Sequence, residues 1–304
     1  MFSIVVSSNG EVHAVVLFYA FAILAGVVAA PSRGRAAAAL ALSVAAAFMP
    51  WLLPASWVFL RTAYGIAAFI CIAGVLDVVR RRRAWSATER VLRVIFFIDL
   101  RSAKPTRRHL DVRLMIVTMI YEAIGLMGLW AVVVLAPGAQ GFSHWALRWG
   151  GGMLFCYVGP DIGRAILIFA GRAIGLESPE IHDMPILSTT VSQFWGTRWN
   201  RPVGAWLKFH GYDPLASRGL PMLGVLAAFA LSAALHAWFT WVAVGRALAL
   251  VMLSFFLLQG LLVVFERMLG IPRRARTWGR AWTISVMVLS SPLFVEPMLQ
   301  CIGI

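Results

Sequence analysis

The chain predicts an all-α, polytopic integral membrane protein of about eight transmembrane helices, and three observations carry that expectation. Of its 304 residues, 61% are hydrophobic and only 13% charged, against roughly 25% charged in soluble domains. Several apolar stretches exceed the ~18–20 residues needed to cross a bilayer. The charge that remains is basic and clustered. Eleven of the 27 Lys and Arg fall between Arg80 and Arg113, and others gather at Arg273, Arg274, Arg276 and Arg280.

The spans lie near 12–30, 36–50, 56–79, 112–136, 144–170, 219–242, 247–266 and 279–302. The first has no basic stretch before it and no convincing small-residue cleavage site. It is therefore expected to be a retained helix and not a removed signal. Alternation along these spans puts 31–35, 80–111, 171–218 and 267–278 on one side. Each of these segments is basic. The other side receives 51–55 and 137–143, without Lys or Arg, and 243–246, with only Arg246. The positive-inside bias makes the basic side cytoplasmic, in the cell inner membrane of a bacterium-like topology. Because the basic runs abut spans, a formal charge of +14 points to anionic lipid or an anionic cofactor as partner and not to nucleic acid. Cys71, Cys156 and Cys301 sit in apolar segments without ligand spacing, so neither a disulfide nor a metal site is expected.

Within the first inner loop, Trp85, Val91, Leu92, Val94, Ile95, Ile98 and Leu100 suit one side of a cytoplasmic interfacial helix. That helix either anchors the surface or shares in a cofactor mouth. The fifth span is expected to be broken. Gly150, Gly151 and Gly152 open it, and Gly159-Pro160-Asp161 interrupts it, since proline frees a carbonyl at membrane depth. Asp161 and Arg164, at i,i+3, either pair to close the kink or line a polar tunnel. Glu122 and Glu296 are ionisable groups at depth whose role is open between structure and function. Asp77 lies near a span end and receives no role. With no matching pair of broken spans and no second composition, residues 1–304 are taken as one domain.

The inner loop 171–218 is too long and aromatic for a passive connector. It reads PILSTTVSQFWGTRWNRPVGAWLKFHGYDPL from Pro185. Tryptophans alone would be assigned to an interfacial belt. Trp195 and Trp199, interleaved with Arg198, Asn200, Arg201 and Lys208, offer cations and an amide beside flat apolar faces. That mixture suits an anionic, ring-bearing ligand, and arginine's planar fork suits phosphate. His182 with Asp183 and His210 with Asp213 lack helical i,i+4 geometry, so no metal is assigned there. In the following span His236 follows Ser232 by one turn. It either bridges helices through a hydrogen bond or serves as a general base away from bulk water, a neutral imidazole taking a proton from an attacking hydroxyl.

Phe194-Trp195-Gly196-Thr197-Arg198-Trp199-Asn200, followed about 35 residues later by Leu235-His236 in an apolar helix, resembles the membrane-bound O-acyltransferase superfamily and within it the wax synthase-like branch. Pro185-Ile186-Leu187 before Ser188-Thr189-Thr190, and Tyr212-Asp213-Pro214-Leu215, belong to the same pattern. The resemblance spans about 185–300 and implies an acyl-CoA-dependent transfer of an acyl group to the hydroxyl of a lipophilic alcohol, inside an intramembrane tunnel. His236 would be the catalytic base and Asn200 the second catalytic residue. Trp195, Arg198, Trp199, Arg201, Lys208 and Ser232 are the substrate-binding candidates, with the cations toward coenzyme A phosphates. Acyl-CoA is then a co-substrate, and no tightly bound cofactor is expected. The acceptor is a long-chain alcohol, giving a wax ester, or a hydroxylated secondary metabolite. Two positions depart from many relatives: Gln193 stands where they carry an acidic residue, and Ala237 where they carry Glu. Ser232 or Glu296 would then tune the base. A transporter or flippase of an amphipathic lipid and a catalytically degenerate relative are the alternatives.

Overall fold

The computed structural model describes residues 9–81, 84–96, 104–107, 111–173, 175–177, 180–271 and 275–304, without the side chains of Asn9, Pro160, Arg164 and Leu167. Among the described residues seven helices are long and apolar enough to cross a membrane, or eight if a bent pair is taken as one span. The expected all-α polytopic architecture is found, each span within a few residues of its sequence position. The chain groups into two compact units, one of residues 1–101, 238–246 and 301–303, the other of 102–237, 247–300 and 304.

The first unit holds α1 (Asn9–Val28), α2 (Arg33–Phe48), α3 (Val58–Arg80) and α4 (Ala87–Phe96). Small residues build its core: Ala22, Ala25, Ala29, Ala39, Cys71, Val75 and Val78 lie together with Val94. Helix α4 is the expected amphipathic helix of the first inner loop, started by a reciprocal cap. Ser86 N–H donates to Glu89 Oε2 (2.8 Å) and Glu89 N–H to Ser86 Oγ (3.1 Å), the pairing that S-x-x-E sequences favour. Its apolar side faces α1 and α3, not lipid alone. A Cβ on Gly74 would stand 2.5 Å from the Arg93 carbonyl oxygen, so only glycine admits α4 at that depth. Asp77 is buried and receives Arg93 (2.6 Å) and Arg81 (2.9 Å). The residue left without a role is thus the anchor of α4. Ile98 and Leu100, expected on the same helix, lie outside the described residues.

The second unit holds α5 (Val112–Trp130) and α6 (Gly141–Ala173), the latter followed by a two-residue strand pair of β1 (Lys104–Pro105) with β2 (Leu176–Glu177). Asp111 caps α5 by accepting from Leu114 N–H at 2.8 Å, and its other oxygen receives Arg172 at 2.7 Å. Helices α5 and α6 cross where Gly128 meets Gly151. A Cβ on Gly151 would lie 2.5 Å from the Gly128 carbonyl oxygen. Gly151 is therefore a contact surface, and the expected break of the fifth span is absent, since α6 runs helical from Gly141 to Ala173. Asp161 is buried; the partner proposed for it, the Arg164 side chain, lies outside the described residues.

The long inner loop folds into short turns: α7 (Val191–Gln193), α8 (Arg201–Leu207) and α9 (Asp213–Ala216), with wide π turns at Phe194–Arg198 and Lys208–Tyr212. Then come α10 (Pro221–Val244), α11 (Arg246–Met268), α12 (Arg276–Ser290) and α13 (Pro292–Cys301). The break lies here, as α12 and α13 meet at 47°. Pro292 has no N–H for the Val288 carbonyl, which instead accepts the Ser291 hydroxyl at 2.8 Å, so the chain turns at that point.

Candidate active site

A cavity of about 800 Å³ lies within the second unit, walled by α5, α6, the motif loop, α10, α11, α12 and α13. Its construction begins at α7. Thr190, in extended conformation, caps this turn by accepting Gln193 N–H at 2.9 Å. Gln193 Oε1 in turn accepts Thr189 N–H at 2.8 Å. Accepting that bond needs an oxygen but no charge, so glutamine suffices there. Glu266 of α11 is fully buried and accepts Val191 N–H and Ser192 N–H, both at 2.8 Å, and the Trp282 indole N–H at 3.2 Å. A carboxylate thus serves the unpaired amides that every helix start presents.

The π turn then closes with Trp199 N–H donating to the Phe194 carbonyl at 2.8 Å. Such wide turns concentrate at functional sites. Here the consequence is that Phe194, Trp195, Gly196 and Thr197 all reach one wall, followed by Trp199 and Asn200. Trp195 is held by a relay: its indole N–H donates to Gln259 Oε1 at 3.1 Å, and Gln259 Nε2 donates to Ser290 Oγ at 2.8 Å. Asn200 takes a left-handed conformation, φ +40°, which asparagine tolerates better than most residues. Its carbonyl accepts Gly204 N–H at 2.9 Å, starting α8, and its own N–H donates to His182 Nδ1 at 3.1 Å. His182 also packs its ring on Trp199, 4.6 Å between centroids.

Helix α10 faces the cavity with Val225, Phe229, Ser232 and His236, a spacing of four, three and four that keeps all on one face. His236 Nδ1 lies 2.8 Å from the Ser232 carbonyl oxygen. A carbonyl only accepts, so Nδ1 carries the proton, and the lone pair of the neutral ring is on Nε2. The ring is packed 4.0 Å from Phe256.

Of the residues expected at the site, His236, Asn200, Trp195, Trp199, Lys208 and Ser232 line this one cavity. Arg198 and Arg201 do not. Arg198 donates to the Asp183 carbonyl at 2.8 Å, and Arg201 lies 3.8 Å from Glu180. Ser232 acts on His236 through its backbone carbonyl and not as a hydroxyl partner. Glu296 accepts from Arg148 (2.8 and 2.9 Å), Trp149 and Gln300 and is not on the cavity wall. The sequence reasoning missed Glu266, Gln259 and Arg267, which lines the cavity. The signal was there: these are polar groups within a span of mean hydropathy 2.6, where a polar side chain is costly without a task.

Fold and cavity together define a polytopic helical membrane protein with an apolar chamber that holds an imidazole and an amide. Residues 178–258 match the model of the membrane bound O-acyl transferase family. The chain is 30% identical over 153 residues to "Probable long-chain-alcohol O-fatty-acyltransferase 2" of Arabidopsis thaliana, covering 44% of each. It is likewise 30% identical over 149 residues to "Probable long-chain-alcohol O-fatty-acyltransferase 3" of the same plant, covering 44% of this chain and 43% of that one. The resemblance drawn from Phe194–Asn200 and His236, including its wax synthase-like branch, is therefore shown for the segment that carries the motifs. The matched segment spans less than half the length of either curated relative.

Proposed function

We propose that the protein is a membrane O-acyltransferase that moves an acyl group from acyl-CoA to the hydroxyl of a lipophilic alcohol. The observation that carries this is the presence of His236 and Asn200 on the wall of one largely apolar cavity. In the proposed reaction His236 Nε2 takes the proton of the alcohol as its oxygen bonds to the thioester carbonyl carbon. The Asn200 amide donates to the oxyanion that develops. The tetrahedral adduct then expels the coenzyme A sulfur, which leaves with the proton held by His236, giving ester and free thiol. A positioned base supplies typically ~10²–10⁴-fold, and a well-aimed donor a comparable factor. Binding both apolar substrates in one chamber adds the advantage of proximity. The same reading puts the basic motif loop on the cytoplasmic face, where acyl-CoA is met. A long-chain alcohol is the simplest acceptor, as the names of the similar proteins suggest, with a hydroxylated secondary metabolite second. The transporter alternative drew on a broken fifth span and on polar groups at depth; α6 is continuous, which removes the first of these.

The test is ester formation by purified protein given labelled acyl-CoA and a pool of lipophilic alcohols. Wild type should form ester. His236→Ala should lose activity by about 10²-fold or more while keeping its size-exclusion profile. Substrate movement across vesicles without ester would support the transporter instead.

A further inference from the structure

We propose that Arg267 is the anion-binding end of a slot measured from His236, and that it takes the first phosphate of a 4′-phosphopantetheine thioester. This rests on the acyltransferase reading above.

The measure comes from α10 and α11, whose contacts within the second unit run in antiparallel order. His236 stacks on Phe256. Farther along, a Cβ on Gly260 would be 2.8 Å from Phe229 Cβ, and Val225 shares a core with Val263. From Phe256 to Arg267 is 267 − 256 = 11 residues, as from Val225 to His236, 236 − 225 = 11. Eleven residues are three helical turns, so both ends sit on one face about 16 Å apart. Both ends line the same cavity.

The span suits one chemistry. From thioester sulfur to its first phosphorus a pantetheine arm has about 13 bonds, equivalent to some four residues of extended backbone, or roughly 15 Å. With the carbonyl beside His236, the phosphate arrives at Arg267. The guanidinium is available for it. Among the described residues Arg267 has no carboxylate within ion-pair distance; the Glu266 charge beside it attracts it, while the Glu266 oxygens accept from Val191, Ser192 and Trp282. Lys208, the other Lys or Arg on the cavity wall among the described residues, is bound to Asp213 at 2.5 Å. An arginine fork meets two phosphate oxygens at once. Recognition that stops at the first phosphate applies equally to free coenzyme A and to the same arm carried on a protein.

The experiment measures KM for four donors with one acyl chain: acyl-CoA, acyl-4′-phosphopantetheine, acyl-pantetheine and acyl-carrier protein. Wild type, Arg267→Ala and Arg267→Lys are compared. Arg267→Ala should raise KM for the three phosphate-bearing donors about tenfold or more, without raising it for acyl-pantetheine or the alcohol. Arg267→Lys should fall between. Transfer from the carrier protein alone would name the carrier as source, transfer from acyl-CoA alone the free coenzyme, and equal transfer from both an enzyme that takes either. The Arg267 dependence is required in each case. An equal rise on acyl-pantetheine, or no rise on any donor, overturns the assignment. No transfer by wild type from any donor instead fails the acyltransferase reading. Direct binding of 4′-phosphopantetheine, tighter to wild type than to Arg267→Ala, then still decides the anion site.

Discussion

At the scale of residues, the motif turn depends on acceptors that come from far along the chain. Glu266 meets Val191 and Ser192 across 75 and 74 positions. Removing it orphans two backbone donors and one indole, at about 1–3 kcal/mol for each unsatisfied buried group. Glu266→Ala should therefore lower the detergent-state melting temperature and the transfer rate together. Glu266→Gln, which keeps one accepting oxygen, should do less; the check is thermal unfolding beside ester formation. Trp195→Phe keeps one ring among Phe229, Phe255 and Phe256 but loses the other and the bond to Gln259, so it should cost about 1–3 kcal/mol of stability. His236 and Asn200 stood out in the sequence by residue type and motif, and folding brings both to one cavity wall. Glu266 and Gln259 did not stand out, because what they do is set by backbone donors and side chains that only folding brings near. That Arg198 and Arg201 stand off the cavity wall was hidden for the same reason: a cation in a motif says nothing of the carbonyl or carboxylate that folding puts beside it.

Among the elements, α4 is fixed by a buried pair. Asp77→Asn would leave Arg93 charged and unmatched in the interior, a loss of about 3–5 kcal/mol. The double change Asp77→Leu with Arg93→Met should unfold later than either single change, because apolar isosteres often replace buried pairs without loss. Thermal unfolding of the four proteins checks this. The spans themselves were plain in the sequence, since uninterrupted hydropathy suffices to set them. Their irregularities were not. Gly159-Pro160-Asp161 looks like a break and is helical in α6, whereas Ser291-Pro292 turns the chain. A proline in a span withdraws one amide, and the surrounding structure decides whether the helix continues or bends. That packing is invisible in a linear pattern. The apolar periodicity of α4 likewise revealed a helix but not which surface it would cover.

For the molecule as a whole, clustered basic charge, apolar spans and a chamber of about 800 Å³ fit the proposed catalyst of substrates that dissolve in lipid. The cavity that holds His236 is lined by Phe255, Phe256, Met287 and Phe294 among others, which offer water no hydrogen bonds. A base that activates an alcohol would activate water equally well, so the product depends on which nucleophile reaches the thioester. Met287→Gln, close in volume but polar, should raise the ratio of thiol released to ester formed, read by thiol titration against ester mass. On the proposed reading, aromatic lining is therefore a choice between two fates of the acyl group, alcoholysis or hydrolysis, made by solvent exclusion and not by the base.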